Sequence, residues 1–521
     1  MIVSTAARIK HTDTFTTLLL GLFGLTTLLL IEHFFMPIAN AATIVPLSVA
    51  AIGWLIYIKN KPTLQLLPLW PVMIVSASMI ILLSYLPGVY YIHYDTGLYH
   101  AQKVLWYNEA AVWPGLGLLH GRFGFNVSFF LPVSFFNQIL PFANTLHYSV
   151  SSFWIVAFAL YLIKFASSPN THQNFLAAAL FIAICIYPFV SPGVWGFSPD
   201  PIITVTVLYL YSQILQSLTD NRIETLPVVL LVSALALSVK LSGAILLLPV
   251  VGLFIRRDFL KSLQKGIAGS ITLSVLLLLV WGFHGYLESG YVSYPASITF
   301  GSPAWQIPET DRIAEVTSIR EWARSRNFFS NTPTFDFSWI SNWFLDSRNW
   351  PILLPAITSA TISLITIAYN PKRYRKQAGF FGLLLVSFAA WLLAAPDRRF
   401  GLPILLFLAA FPLLLLPKAI KAKLLKFTDR RLIVSTIILA HVIIFSYRFV
   451  SQPYQFQPLP VAKTNTTIIN GLPVSHPVDT DQCWFTQRPC TPARPQNIKQ
   501  TEYQIGPLKL RGYGGDNEQR E

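Results

Sequence analysis

Long apolar runs separated by short polar loops fill the chain from its first residues to about position 450. A helix rises 1.5 Å per residue, so roughly 20 apolar residues cross the hydrocarbon core of a bilayer. By that measure the pattern predicts spans at 15–36, 41–58, 66–86, 146–165, 175–190, 202–218, 226–239, 242–255, 267–285, 351–369, 378–395, 402–416 and 432–449. Each must close its backbone hydrogen bonds internally, because lipid offers no partners. The expected fold is an all-α polytopic membrane protein of about 13 transmembrane helices.

Two stretches disturb the alternation. The apolar run 129–142, counted as a span, would move Lys164 to the side opposite the other basic loops; it is expected to lie in the interface or to re-enter the bilayer. The stretch "LPVVLLVSALALSVKLSGAILLLPVVGLFIRR" is too long for one straight span and has Lys240, Ser242 and Gly243 at its middle. A hairpin of two short helices with Lys240 at its tip is the reading that keeps the basic loops together.

Composition supports the membrane class: the chain is 53% hydrophobic and only 12% charged, with a mean hydropathy of +0.52. Soluble domains carry about a quarter charged residues. The net charge of +15 does not point to nucleic acid. Lys59 and Lys61, the segment from Arg256 to Lys265, "PKRYRKQ" and "PKAIKAKLLKFTDRR" lie between apolar runs, as the positive-inside rule requires of cytoplasmic loops. Arg8 and Lys10 precede the first apolar run without a convincing cleavage site, so that run reads as a retained helix.

This orientation puts loops 87–145 and 286–350 outside, and divides the chain into a transmembrane domain, 1–450, and an extracytoplasmic tail, 451–521. Within the tail, "DQCWFTQRPCTPARP" carries Cys483 and Cys490 in a polar, proline-rich setting. A disulfide suits an oxidising compartment, and two unrelated free thiols are the alternative.

The unusual polar groups fall on the outer side. Asp95 begins the first outer loop, Asp200 sits in "GVWGFSPDPI", Lys240 tips the hairpin, and Arg398 and Arg399 stand in "APDRRFG". Asp95 and Asp200 each precede helical patterns, so helix capping and a functional carboxylate are both open. A cation inside an apolar stretch is costly unless paired or wet, which singles out Lys240. Arg398 and Arg399 depart from the positive-inside trend, and an anionic partner would explain them. His100 and Arg122 share the first loop with His93 and His120; the histidines lack tight metal-ligand spacing, and no metal site is expected from them. Segment 286–350 is too long for a simple connection, which argues for function or a small lid, and includes "IREWARSRNFF", whose pattern predicts a short amphipathic helix resting on the membrane.

In layout the chain resembles the GT-C superfamily of integral membrane glycosyltransferases, with its many spans, acidic first outer loop and later closing loop. The stretches "YDTGLYH", "GLGLLHGRFGFN", "SVKLSG", "SGYVSYP", "APDRRFG" and "DQCWFTQRPCTP" are also similar to a bacterial family of multi-pass proteins with no settled function. The first resemblance implies an inverting transfer of a sugar from a polyprenyl-phosphate donor to a glycan or lipid acceptor, at the outer face of a bacterial inner membrane. Asp95 would be the base and Asp200 a second carboxylate. Lys240, Arg398 and Arg399 would meet the phosphate, with His100 and Arg122 beside the substrate. It allows a divalent cation and implies no other cofactor. Many GT-C members pair two acids in the first loop, whereas Thr96 follows Asp95 here. The competing class is a transporter, flippase or polymerase of lipid-linked glycans, and a membrane scaffold comes third.

Overall fold

The computed structural model describes residues 2–7, 9, 13–39, 43–60, 93–139, 149–166, 180, 198–220, 225–254, 267–325, 336–417, 420, 460–493, 495 and 498–515. It is mostly helical. Among the described residues, five helices are long and apolar enough to cross a membrane: Thr14–His33, Ala268–Ser289, Trp350–Tyr369, Arg375–Ala394 and the stretch Arg398–Leu415. The spans expected at 66–86 and 432–449, and all of 175–190 but Leu180, lie outside the described residues.

Local sequence explains where the helices begin and end. α1 (Thr14–His33) starts at Asp13, whose carboxylate accepts hydrogen bonds from Thr16 N at 2.8 Å and Thr16 Oγ1 at 2.6 Å. That satisfies a backbone donor the helix cannot serve itself. α2 (Ala101–Glu109) and α3 (Phe130–Ile139) follow in the first polar region. α4 (Asp200–Asp220) and α5 (Leu226–Val239) come next, and α5 stops at Lys240, whose backbone is extended. α6 (Ala268–Ser289) ends at Gly290 with φ +80°, a left-handed conformation that glycine adopts without penalty. α7 (Glu309–Ser325) lies between the spans, followed by α8 (Trp350–Tyr369), α9 (Arg375–Ala394) and α10 (Arg398–Ala410). α10 starts on Asp397, which caps Arg399 N at 2.9 Å.

Helix α1 packs on α5 and α6, α4 on α5, and α8 and α9 on α10. Large apolar side chains remain exposed on the outer faces, including Leu279, Ile362 and Ile365. A hydrocarbon environment accommodates such faces, and water does not.

Helix α3 is packed into the protein: Phe129, Phe130, Leu131 and Val133 are buried, and it lies against α1 and α2. One expectation needs correction: the fold is not all-α. Antiparallel hairpins β1–β2 (Thr464–Ile469, Leu472–Pro477) and β3–β4 (Ile498–Ile505, Leu508–Gly515) form the tail. Short β-branched runs at turns such as Asn470–Gly471 favour strands over helix. Near the middle, the helix does break at Lys240, and the chain resumes as Gly243–Leu246 and Leu248–Phe254.

One ion pair fixes the first polar region onto the bundle. Lys103 Nζ on α2 lies 2.7 Å from Glu288 Oε1 on α6, and neither side chain has any solvent access. Lys103 also donates to the Phe123 carbonyl. His284 Nδ1 lies 3.6 Å from Glu288 Oε2, and its Nε2 is 2.9 Å from His33 Nδ1 at the end of α1. Glu288→Gln should lower the stability of the detergent-solubilised protein by about 3–5 kcal/mol, because it leaves Lys103 buried and unpaired. Lys103→Met with Glu288→Met should recover most of that loss in the same thermal-unfolding assay.

Candidate functional site

The site grows from the turn that follows His93. Asp95 stands at the head of Thr96–His100, a single π-helical turn that runs into α2. Such turns open the regular hydrogen-bond ladder and recur at functional sites. The Asp95 backbone is helical and its side chain makes no capping hydrogen bond. Its carboxylate is therefore directed away from the helix end.

Two arginines from distant parts of the chain receive it. Arg122 Nη1 lies 3.3 Å from Asp95 Oδ1, and Arg399 Nη1 lies 3.4 Å from Asp95 Oδ2. Arg399 also approaches Asp397 Oδ1 at 3.3 Å and His93 Nε2 at 2.8 Å. On the far side of Arg122, its Nε sits 3.5 Å from Glu315 Oε1 on α7. Asp95 is 21% exposed and Glu315 17%, so both side chains keep some contact with solvent.

The two carboxyls are shifted in opposite directions. Burial alone would raise Asp95, but His93, Arg399, His100 and Arg122 outweigh it and hold the group well below the usual carboxylate range. Burial raises Glu315 above its ordinary value, and the attraction of Arg122 offsets this only in part. Burial pushes His100 down to about 3 against the pull of Asp95, leaving a neutral ring at pH 7. Neither ring nitrogen of His100 has a hydrogen-bond partner among the described residues. It stacks parallel to His93 with ring centroids 6.1 Å apart.

Asp200 and Lys240 form a second, adjoining pair. Lys240 donates to Asp200 Oδ1, and its ammonium sits 4.4 Å from the centre of the Phe400 ring. Both charges act on His93, which places them beside the first group. Asp95, His100, Arg122, Asp200, Lys240 and Arg399 thus meet at one end of the helices. Arg398 donates to the Arg348 carbonyl before α8. Of the two arginines in "DRR", Arg399 is the one that contacts Asp95 and His93. No group of three or more histidine, cysteine or acidic side chains among the described residues has metal-binding geometry. With both Asp95 oxygens facing guanidinium groups, the donor set does not suit a divalent cation.

The tail holds the turn from the other side. Cys483 and Cys490 are bridged at 2.05 Å, closing a loop that presents Trp484. Trp484 N donates to the Gly97 carbonyl at 2.9 Å, and Gln102 Nε2 donates to the carbonyls of Trp484 and Thr486. Tyr94 donates to Asp481, and Gln482 Nε2 to the Tyr94 carbonyl. A Cβ at position 97 would meet the Trp484 indole at 2.5 Å, so only glycine fits there.

His93, Glu315 and Trp484 are the participants that sequence reasoning missed. His93 was grouped with the other loop histidines, and Glu315 is one of several charges on an amphipathic helix. Trp484 had a visible signal, since it directly follows a candidate bridging cysteine.

An apolar helical bundle with a charged cluster at one end defines a helical membrane protein. The chain belongs to the family described as Domain of unknown function (DUF8201), which matches residues 1–406. That range contains every charged member of the cluster and excludes the β-hairpin tail. No curated protein and no solved structure matches the chain.

Gly97→Ala should force Trp484 from its seat at a cost of about 1–3 kcal/mol. Hydrogen exchange across residues 93–109 should then rise, and adding Trp484→Ala should remove the clash and recover part of the stability.

Proposed function

We propose that this protein is an integral membrane glycosyltransferase moving a sugar from a polyprenyl-phosphate donor to a glycan or lipid acceptor. The observation that carries the reading is the grip of Arg122 and Arg399 on Asp95, drawn from positions up to 304 residues apart to one end of apolar helices. Partly exposed guanidinium groups beside an apolar surface match a phosphate whose lipid chain lies in the bilayer. Such a leaving group needs positive charge more than it needs a proton. Asp95 remains ionised and orients both arginines; a carboxyl held so low is a weak proton acceptor at neutral pH. Asp200 plays the same orienting role towards Lys240.

The finer topology belongs to this reading: about 13 spans, basic loops in the cytoplasm, and the cluster and tail outside a bacterial inner membrane. An impermeant maleimide on intact cells should label Val478→Cys and spare Lys372→Cys in a chain whose Cys185 is replaced and whose disulfide is intact. Strong labelling at 372 reverses the orientation.

A second reading is translocation of a lipid-linked glycan. It draws on the buried series Lys103, Glu288, His284 and His33, since ionisable groups inside membrane proteins often mark proton paths. Vesicles containing the purified chain separate the two. Transfer of labelled sugar from polyprenyl-phosphate glucose, reduced about 10²–10³-fold by Arg399→Ala, supports the transferase. Glycan crossing the bilayer without transfer sinks it.

A further inference from the structure

If sugar transfer is the reaction, some group must take the acceptor's proton, and the geometry points to Glu315 rather than Asp95 as that base. We infer that Glu315, on the helix outside the spans, is the catalytic proton acceptor of the site. Both Asp95 oxygens already face guanidinium nitrogens, at 3.3 and 3.4 Å. Glu315 Oε1 is buried and meets the Nε of Arg122 at a long 3.5 Å, outside ordinary hydrogen-bond geometry. One guanidinium therefore touches both carboxyls, which places Glu315 beside the group that would meet the phosphate.

In this step the acceptor oxygen bonds to C1 of the sugar as its proton passes to a Glu315 oxygen. The bond from C1 to the phosphate oxygen breaks, and its electron pair leaves with the polyprenyl phosphate beside Arg122 and Arg399. A base works best with an affinity for protons near the working pH. Burial moves Glu315 upward in that direction. The groups facing it are Arg122 and Asp95 from the first loop and Tyr294 from the segment after α6; on its own helix Asp311 and Arg312 stand one turn earlier, and Arg312 is paired with Glu309. Arg122 alone among the first three favours its charged form, and the Asp95 charge opposes it.

This role rests on the transferase reading, and the test separates their failures. The full chain is reconstituted in vesicles with polyprenyl-phosphate glucose, and turnover is followed from pH 4 to 9. Wild-type turnover should fall on the acid side as Glu315 takes up a proton. Glu315→Gln should cut kcat about 10²–10⁴-fold with KM nearly unchanged and remove the acid limb. Glu315→Asp, which keeps the carboxyl but draws it back, should retain intermediate turnover and an acid limb. If Glu315→Gln keeps more than about a tenth of wild-type turnover, or keeps the limb, Glu315 is not the base while transfer stands. If wild type transfers nothing from this probe, the transferase reading falls and the role of Glu315 falls with it.

Discussion

A lysine and a glutamate shut away from all solvent can be separated only by leaving a bare charge in apolar surroundings. That constraint, at Lys103 and Glu288, determines how the first polar region sits on the spans. α2 can occupy one position only, against the end of α6, and the Lys103 bond to the Phe123 carbonyl fixes the return of the chain towards Arg122. His284 and His33 extend the same network across to α1, and His33 ends it on the Ala110 carbonyl. The turn bearing Asp95 is continuous with α2, so its location follows from a pair of charges it never touches.

The two charged clusters differ in one respect that separates scaffold from site. Around Glu288 the ionic side chains are dry, and their partners are all protein groups. Around Asp95 the side chains of Asp95, Arg122 and Arg399 keep about a fifth of their surface open. A dry, paired cluster holds shape, whereas a partly wet one leaves its charges open to a ligand.

How much of this could be read from the sequence depended on the range of the interaction. The long apolar helices and the break at Lys240 were legible because hydropathy and one misplaced charge are local properties. So were Asp95, Asp200 and Arg399 as unusual charges near helix ends, which the fold brings together. Arg398 and Arg399 were indistinguishable in sequence, yet neighbours on a helix point about 100° apart, and Arg399 is the one that meets Asp95 and His93. The buried fate of α3 was hidden because an apolar decamer packs equally well on lipid or protein, and the choice lay with α1 and α2. Glu315 was concealed for a related reason: its environment is supplied by Arg122 and Asp95, some 200 residues earlier.

The contact between Trp484 and Gly97 carries a consequence for the order of synthesis. A ribosome completes residues 93–126 long before residue 484 exists, and the Asp95 turn must wait for the seat that the tail supplies. Formation of the Cys483–Cys490 bridge requires an oxidising compartment. Completion of the clamp is thereby tied to synthesis through residue 490 and to oxidation of both cysteines, so a product truncated before residue 484 would hold the charged residues without the contact that aligns them.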